Sequence, residues 1–108
     1  MVRVAVDALG GDRAPEEIVA GALEASSDAI HPIVFGPRGL DTLGLPLVET
    51  TEVVEMDEHA VQAVRGKPDS SLVRAVRAVA DGEADTVVSA GSTGAMLAAV
   101  LITAMFTV

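Results

Sequence analysis

The sequence predicts a three-layer α/β/α fold, in which helices cover both faces of a mostly parallel β-sheet. Short β-branched runs alternate along the chain with amphipathic segments of helical spacing, the order typical of parallel strands joined by helices. Half of the 108 residues are hydrophobic, but only 2% are aromatic. Aliphatic side chains must therefore fill the core, as they do where parallel strands are buried on both faces.

Each element follows from a local pattern. The first strand is a valine-rich run that ends at a glycine loop, and the first helix opens with Pro15 and two acids. Another helix is expected after Asp69, Ser70 and Ser71, which are good N-cap residues. In chain order, the expected strands are residues 2–6, 30–35, 45–49 and 86–89, and the expected helices are residues 15 to about 26, 59–65, 72 to about 80 and 95–108.

Charge and composition exclude several classes of protein. A formal net charge of −9 argues against a nucleic-acid-binding domain and gives no electrostatic reason to sit on an anionic membrane. The chain has no cysteine, which excludes a disulfide framework, a thiolate zinc site and a cysteine nucleophile. Neither histidine has a second ligand at metal-binding spacing, so we expect no metal and no cofactor. With no apolar signal segment at its start, the chain is predicted to be cytoplasmic.

Acidic and basic residues are unevenly distributed along the chain. Residues 52–58 are acidic without a clear secondary-structure pattern, and their carboxylates are interpreted as a solvated face. Four of the seven basic residues lie in a stretch whose one acid is Asp69: Arg65, Lys67, Arg74 and Arg77. Within it, Lys67 lies between a glycine and a proline, where a lysine could hold a phosphate oxygen. An ordinary exposed lysine is the alternative.

The last segment, residues 95–108, is almost wholly apolar. It is shorter than the roughly 20 residues that a membrane span needs, and a helix that is apolar on all sides must be buried. We therefore expect a core helix rather than a tail anchor, with further neighbours in sequence beyond Val108. Residues 1–108 are accordingly predicted to be the N-terminal part of a single, larger α/β domain.

Two expected strands end in glycine loops, and ligands of open α/β sheets bind outside the carboxyl ends of the strands. The loop of residues 89–94 carries Ser89, Ser92 and Thr93 before a helix start, whose free N–H groups and dipole attract anions. Alternatively, Ser92 or Thr93 only caps the helix and the glycines allow tight packing. The loop of residues 7–12 is the weaker candidate, because many strand–helix turns contain glycine without a ligand.

Three segments in order resemble the bacterial phosphate acyltransferase (PlsX) family: residues 4–16, residues 55–58 with 63–71, and residues 88–95. The resemblance covers essentially the whole chain, which corresponds to about the first third of the family's length. It implies a fold like those of isocitrate dehydrogenase and phosphotransacetylases. It also implies an enzyme that moves a long acyl group from acyl carrier protein to inorganic phosphate, giving acyl phosphate for phospholipid synthesis.

The resemblance further implies a homodimer that works in the cytoplasm beside the membrane without spanning it. A phosphotransacetylase-type enzyme that uses acyl-CoA is one alternative, and a non-catalytic phosphate- or nucleotide-binding α/β module is another. The basic stretch of residues 65–77 is a candidate docking surface for the acidic carrier protein, although an exposed basic helix face is the simpler explanation. If the polypeptide ends at Val108, we expect little or no turnover.

The candidate site residues fall into two groups. Those expected to act on the reacting groups are Lys67, Ser92 and Thr93. Those expected to bind substrate or shape the neighbouring wall are Asp7, Gly10, Gly11, Asp12, Ser70, Ser71, Ser89, Gly91 and Gly94. Serine stands at position 92 where the family often has asparagine, and its shorter side chain has one donor rather than two.

Overall fold

The structure of the protein, a computed structural model, describes residues 1–107, with side chains described for residues 1–103. These residues form a sheet of parallel strands in the order β3-β2-β1-β4. The strands are β1 (Val2–Asp7), β2 (Ile30–Gly36), β3 (Leu47–Glu49) and β4 (Thr86–Val88). The helices are α1 (Glu16–Ala25), α2 (Ala60–Gly66), α3 (Ser71–Ala80) and α4 (Thr93–Thr107). The predicted α/β fold is confirmed.

Helices lie on both faces of the sheet, as the sequence predicts. Alternate residues of a strand point to opposite faces. Ala5 and Phe35 pack against α3 on one face, whereas Val34 packs against Val19 of α1 on the other. The helices α2 and α4 pack against each other, and α4 also packs against α3. The three layers are therefore α1, the sheet, and the group of α2, α3 and α4.

The strand β3 begins two residues later than expected. The N–H of Leu45 donates to the carbonyl oxygen of Thr42 at 3.0 Å, so it belongs to a turn. Pro46 has no N–H to donate, although its carbonyl oxygen accepts from the N–H of Val34 at 2.8 Å. Regular pairing with β2 therefore starts at Leu47, which lies opposite Val34.

Residues 51–58 are held against the start of α3. The N–H and hydroxyl of Thr51 donate to Oδ2 of Asp69 at 3.0 and 2.6 Å, and Arg74 pairs with the other oxygen of Asp69. Glu52 is half-buried and accepts from the N–H of Asp69 at 3.2 Å. The interpretation of this segment as a solvated face is wrong for Glu52 and also for Glu58, whose carboxylate binds Lys67.

The apolar helix α4 is covered on one side by the residues that the structure describes. Ala95, Ala98 and Ala99 are buried, whereas Leu97 and Leu101 are 59% and 57% exposed. Within the described residues, no helix combines the length and apolar character that crossing a membrane requires. Val108, the last residue of the predicted helix, lies outside the described part of the chain.

The strand order brings the two glycine loops into contact. Because β1 and β4 are neighbours, the residues that follow them meet at the carboxyl edge of the sheet. A Cβ atom on Gly10 would lie 2.7 Å from both the nitrogen of Gly91 and Oγ of Ser89. These distances are shorter than a side-chain carbon tolerates, so Gly10 is required by close approach of the two loops.

We expect Gly10→Ala to lower the free energy of unfolding by about 1–3 kcal/mol, the usual cost of overpacking a tight contact. Gly21→Ala is the matched control, since Gly21 lies exposed in α1 with nothing within 4 Å of an added Cβ. That control should raise stability by about 0.5–1 kcal/mol, because alanine favours the helix. Urea unfolding followed by circular dichroism measures both values. A Gly10→Ala protein as stable as the wild type would contradict the contact.

Acid should weaken the attachment of residues 51–58. Hydrogen bonds lower the pKa of Asp69 below its ordinary value of 3.8. The largest effect comes from the Thr51 hydroxyl and the next from Arg74. Because the pKa is lower in the folded protein, the stabilisation is complete above the unfolded pKa and is lost as the pH falls through the folded pKa.

We therefore expect the free energy of unfolding of Asp69→Asn to depend less steeply on pH than that of the wild type below about pH 5. Thr51→Val keeps the carboxyl group but removes one of the donors that lower its pKa, so its slope should be intermediate. Urea unfolding at a series of pH values gives the slopes. Parallel profiles for the wild type and Asp69→Asn would disprove this link.

Candidate active site

The carboxylate of Asp7 lies at the end of β1 and is 3% exposed. Its Oδ1 accepts from the N–H of Leu9 at 3.1 Å and from the hydroxyl of Ser71 at 2.5 Å. Its Oδ2 accepts from the hydroxyl of Ser89 at 2.8 Å. One carboxylate therefore joins the first glycine loop, the start of α3 and the second glycine loop.

The hydroxyl of Ser89 extends this connection into the second loop. Its Oγ donates to Asp7 and accepts from the N–H of Gly91 at 3.1 Å. A Cβ atom on Gly91 would lie 3.3 Å from Cα of Gly10, so the loop backbones are close here. Asp7, Gly10, Ser71, Ser89 and Gly91 thus form one cluster, and all five are among the site residues predicted from the sequence.

The rest of the first loop borders this cluster. Gly11 has a φ of +95°, and an added Cβ would lie 3.1 Å from the carbonyl oxygen of Ala90. Only glycine adopts such a backbone easily. Asp12, the next residue, is exposed. The first loop therefore lies against the second at Gly11 and turns its acidic side chain to solvent at Asp12.

The two serines at the start of α3 bind protein groups. Ser70 is 0% exposed and caps the helix, because its Oγ accepts from the N–H of Val73 at 3.2 Å. Ser71 is 1% exposed and directs its hydroxyl to Asp7. The structure thus places Ser71 in the cluster, whereas Ser70 supports the helix that carries Ser71.

Ser92 caps α4. Its Oγ accepts from the N–H of Ala95 at 3.2 Å, and its carbonyl oxygen accepts from the N–H of Met96 at 3.0 Å. Thr93 and Gly94, the first residues of α4, are exposed. The first N–H groups of a helix have no partner within the helix, so capping by Ser92 leaves the N–H groups of Thr93 and Gly94 unused by α4.

Lys67 lies in a second group of polar residues. Its ammonium donates to the carbonyl oxygen of Val53 at 2.7 Å and forms an ion pair with Glu58. Two hydrogen bonds lower the pKa of Glu58 below its ordinary value of 4.5. The larger effect comes from Lys67 and the smaller from the N–H of Glu55. The positive charge of Lys67 is therefore largely matched by a carboxylate from the acidic segment.

Sequence reasoning missed Glu58 as the partner of Lys67, because their separation of nine residues matches no helical or strand spacing. It also missed Thr50, which follows β3 at the same carboxyl edge of the sheet. Thr50 is 3% exposed, and its Oγ1 has no hydrogen-bond partner among the described residues. A hydroxyl directly after a predicted strand is the signal that could have drawn attention to it.

The basic stretch is divided by these interactions. Lys67 and Arg74 form ion pairs, whereas Arg65 and Arg77 are exposed and have no ion-pair partner in the described part of the chain. These two arginines border a surface cavity of about 300 Å³ with an apolar floor that includes Val64. Within the described residues, no group of three or more histidine or acidic side chains could hold a metal ion.

Comparisons with known proteins show the family to which the chain is related. Residues 2–107 match the sequence model of the family described as fatty acid synthesis protein. The chain is similar to a phosphate acyltransferase of Desulfitobacterium hafniense (strain Y51), with 53% identity over 94% of this chain and 33% of that protein. A phosphate acyltransferase of Thermotoga neapolitana is 50% identical over 86% of this chain and 29% of its own length.

A phosphate acyltransferase of Oenococcus oeni is 48% identical over 88% of this chain and 30% of its own length. The chain spans about a third of the length of the curated relatives it matches. The family model covers nearly every residue, and the relatives carry one name. The chain belongs to the fatty acid synthesis protein family, among the relatives named phosphate acyltransferase.

Proposed function

We propose that this protein transfers a fatty acyl group to inorganic phosphate, giving an acyl phosphate for phospholipid synthesis, with acyl carrier protein as the acyl donor. The observation that carries the proposal is the meeting of both glycine loops on Asp7, directly before the start of α4. A strand end, small residues and a helix N-terminus together form an arrangement that suits a phosphate group. The relatives' name, phosphate acyltransferase, supports the transfer of an acyl group with phosphate.

In the proposed site, the exposed start of α4 holds the anion. The N–H groups of Thr93 and Gly94 and the hydroxyl of Thr93 are the donors, and the O–H of Ser92 adds a donor while its oxygen caps the helix. Gly91 contributes through its lack of a side chain, since its N–H already binds Ser89. Asp12 and the first loop border the same edge.

The reaction needs no covalent enzyme intermediate. A phosphate oxygen bonds to the thioester carbonyl carbon and the carbon–sulfur bond breaks. The sulfur leaves with the electron pair as a thiolate, which takes up a proton from water to give the thiol. Phosphate is already a nucleophile, so the protein has to place the two substrates and stabilise the negative charge that develops on the carbonyl oxygen. Hydroxyl and N–H donors serve these tasks, and the chain has no cysteine that could act as a nucleophile.

The acyl donor is proposed to dock on the helical layer. Arg65 and Arg77 are exposed and border an apolar cavity, a combination that fits an acidic helix with apolar side chains, because opposite charges orient such an encounter. The family resemblance also implies a homodimer in the cytoplasm that associates with the membrane surface. Leu97 and Leu101 are exposed four residues apart on one face of α4. Adjoining exposed apolar side chains support further protein contacts on this face.

The proposed anion site is tested by Thr93→Ala in the whole protein. We expect the Michaelis constant for phosphate to rise about tenfold, the effect of losing one hydrogen bond to a charged ligand. Thr86→Ala is the matched control, since Thr86 is exposed at the amino end of β4. The assay measures phosphate-dependent loss of the thioester with two acyl donors, acylated acyl carrier protein and acyl-CoA.

We expect the acylated carrier protein to be a better donor than acyl-CoA. Preference for acyl-CoA would favour a phosphotransacetylase-type enzyme, and phosphate binding without transfer would favour a binding module. Unchanged kinetics in Thr93→Ala combined with Lys67→Ala would refute the assigned site.

The role proposed for Lys67 is to supply positive charge to the phosphate. If so, Lys67→Met weakens phosphate binding, whereas Glu58→Gln does not, because it removes the carboxylate that competes for the same ammonium. Equilibrium dialysis with radiolabelled inorganic phosphate measures both variants. If Lys67→Met and Glu58→Gln lose the same amount of stability and keep the phosphate affinity of the wild type, the only role of Lys67 is to anchor residues 53–58.

A further inference from the structure

The carboxylate of Asp7 faces the protein interior. It is 3% exposed, and its two oxygens accept from Leu9, Ser71 and Ser89. A carboxylate surrounded in this way contacts no substrate anion, and its charge would repel phosphate at short range. A role within the protein therefore explains the position of Asp7 better than direct contact with the substrate.

We propose that Asp7 is a positioning residue, which fixes the second glycine loop through Ser89 so that the start of α4 is in place before phosphate binds. This inference rests on the proposed function, because it assigns the same loop as the anion site. Ser89 is the link, since its hydroxyl donates to Asp7 at 2.8 Å and accepts from the N–H of Gly91 at 3.1 Å.

The direction of the Ser89 hydroxyl explains why a carboxylate is needed. A hydroxyl has one proton and two lone pairs. The carboxylate accepts the proton, which leaves a lone pair directed to the N–H of Gly91. The N–H of Gly91 is then turned towards the protein, and the donors left to face an anion are those of Ser92, Thr93 and Gly94.

Close packing makes this arrangement rigid. A Cβ on Gly10 would lie 3.0 Å from Oδ2 of Asp7 and 2.7 Å from Oγ of Ser89, so the backbone of the first loop packs directly against this hydrogen-bonded pair. Donors held in place before binding stabilise charge without a cost of reorganisation. Asp7 thus acts on phosphate through Ser89 and Gly91.

The substitution Asp7→Asn is a selective test, because an amide has nearly the same shape as a carboxylate. Leu9 and Ser71 both donate to Oδ1, and the amide oxygen can keep that position. The amide nitrogen then replaces Oδ2 and becomes a donor facing Ser89. The hydroxyl of Ser89 has to rotate to present a lone pair to this donor, and the rotation disturbs the lone pair that receives the N–H of Gly91. The variant reverses the hydrogen bond to Ser89 and spares the other contacts of Asp7.

Asp85→Asn is the matched control. Asp85 also connects β1 and the β4 region, because its Oδ2 accepts from the N–H of Arg3 at 2.8 Å, but it does so at the amino end of these strands. Both substitutions therefore remove one negative charge that ties the same two parts of the sheet together. Only Asp7 reaches the glycine loop.

Hydrogen–deuterium exchange, read by mass spectrometry in phosphate-free buffer, tests the positioning directly. We expect Asp7→Asn to raise the exchange of a peptide covering residues 89–95 about tenfold, whereas Asp85→Asn leaves it unchanged. In kinetic assays of the whole protein, Asp7→Asn should raise the Michaelis constant for phosphate about tenfold and change kcat much less. Ser89→Ala, which removes the link itself, should reproduce both effects.

Unchanged exchange in Asp7→Asn, or equal changes in Asp7→Asn and Asp85→Asn, would overturn the inference and leave Asp7 a purely structural residue. A failure of the proposed function looks different. In that case the wild type does not use or bind inorganic phosphate, yet Asp7→Asn still loosens residues 89–95 in phosphate-free buffer.

Discussion

A buried negative charge is tolerated only where hydrogen-bond donors surround it, and the carboxylate of Asp7 meets this requirement at the end of β1, an inner strand of the sheet. Its donors come from the loop after β1, from the start of α3 and from the loop after β4. Each of these segments must therefore reach the same point. The positions of both glycine loops and of the third helix are tied together by this one group.

Small residues make that meeting possible. Ala5 and Ala75 are 0% exposed where the sheet packs against α3, so the helix lies close enough for Ser71 to reach Asp7. Gly10 and Gly91 then let the loop backbones approach each other. A larger side chain at any of these positions would move apart the layers or loops that carry the hydrogen-bonding groups, so the small core and the site depend on one another.

Local features of the fold could be predicted from the sequence. Alternating aliphatic runs and caps indicated the strands and helices, and Ser70 caps α3 as the residue types suggested. The inward direction of Asp7 was also accessible, because it lies two residues after Ala5 and so points to the same face of β1. Pairings between distant segments were not. The contact of Gly10 with Gly91 depends on the strand order, and the ion pair of Lys67 with Glu58 depends on the path of residues 51–58, neither of which has a local pattern.

The strand order has a consequence of its own. From β1 the chain moves outward to β2 and β3, and it then returns to place β4 on the other side of β1. The helix after β1 covers one face of the sheet, and the helix after β4 packs on α3, which covers the other face. The helices that follow β1 and β4 therefore leave this pair of strands towards opposite sides of the sheet, as connections do at a topological switch point. This divergence results from the winding of the chain, so the loops after β1 and β4 can vary in sequence while the point at which they meet stays the same.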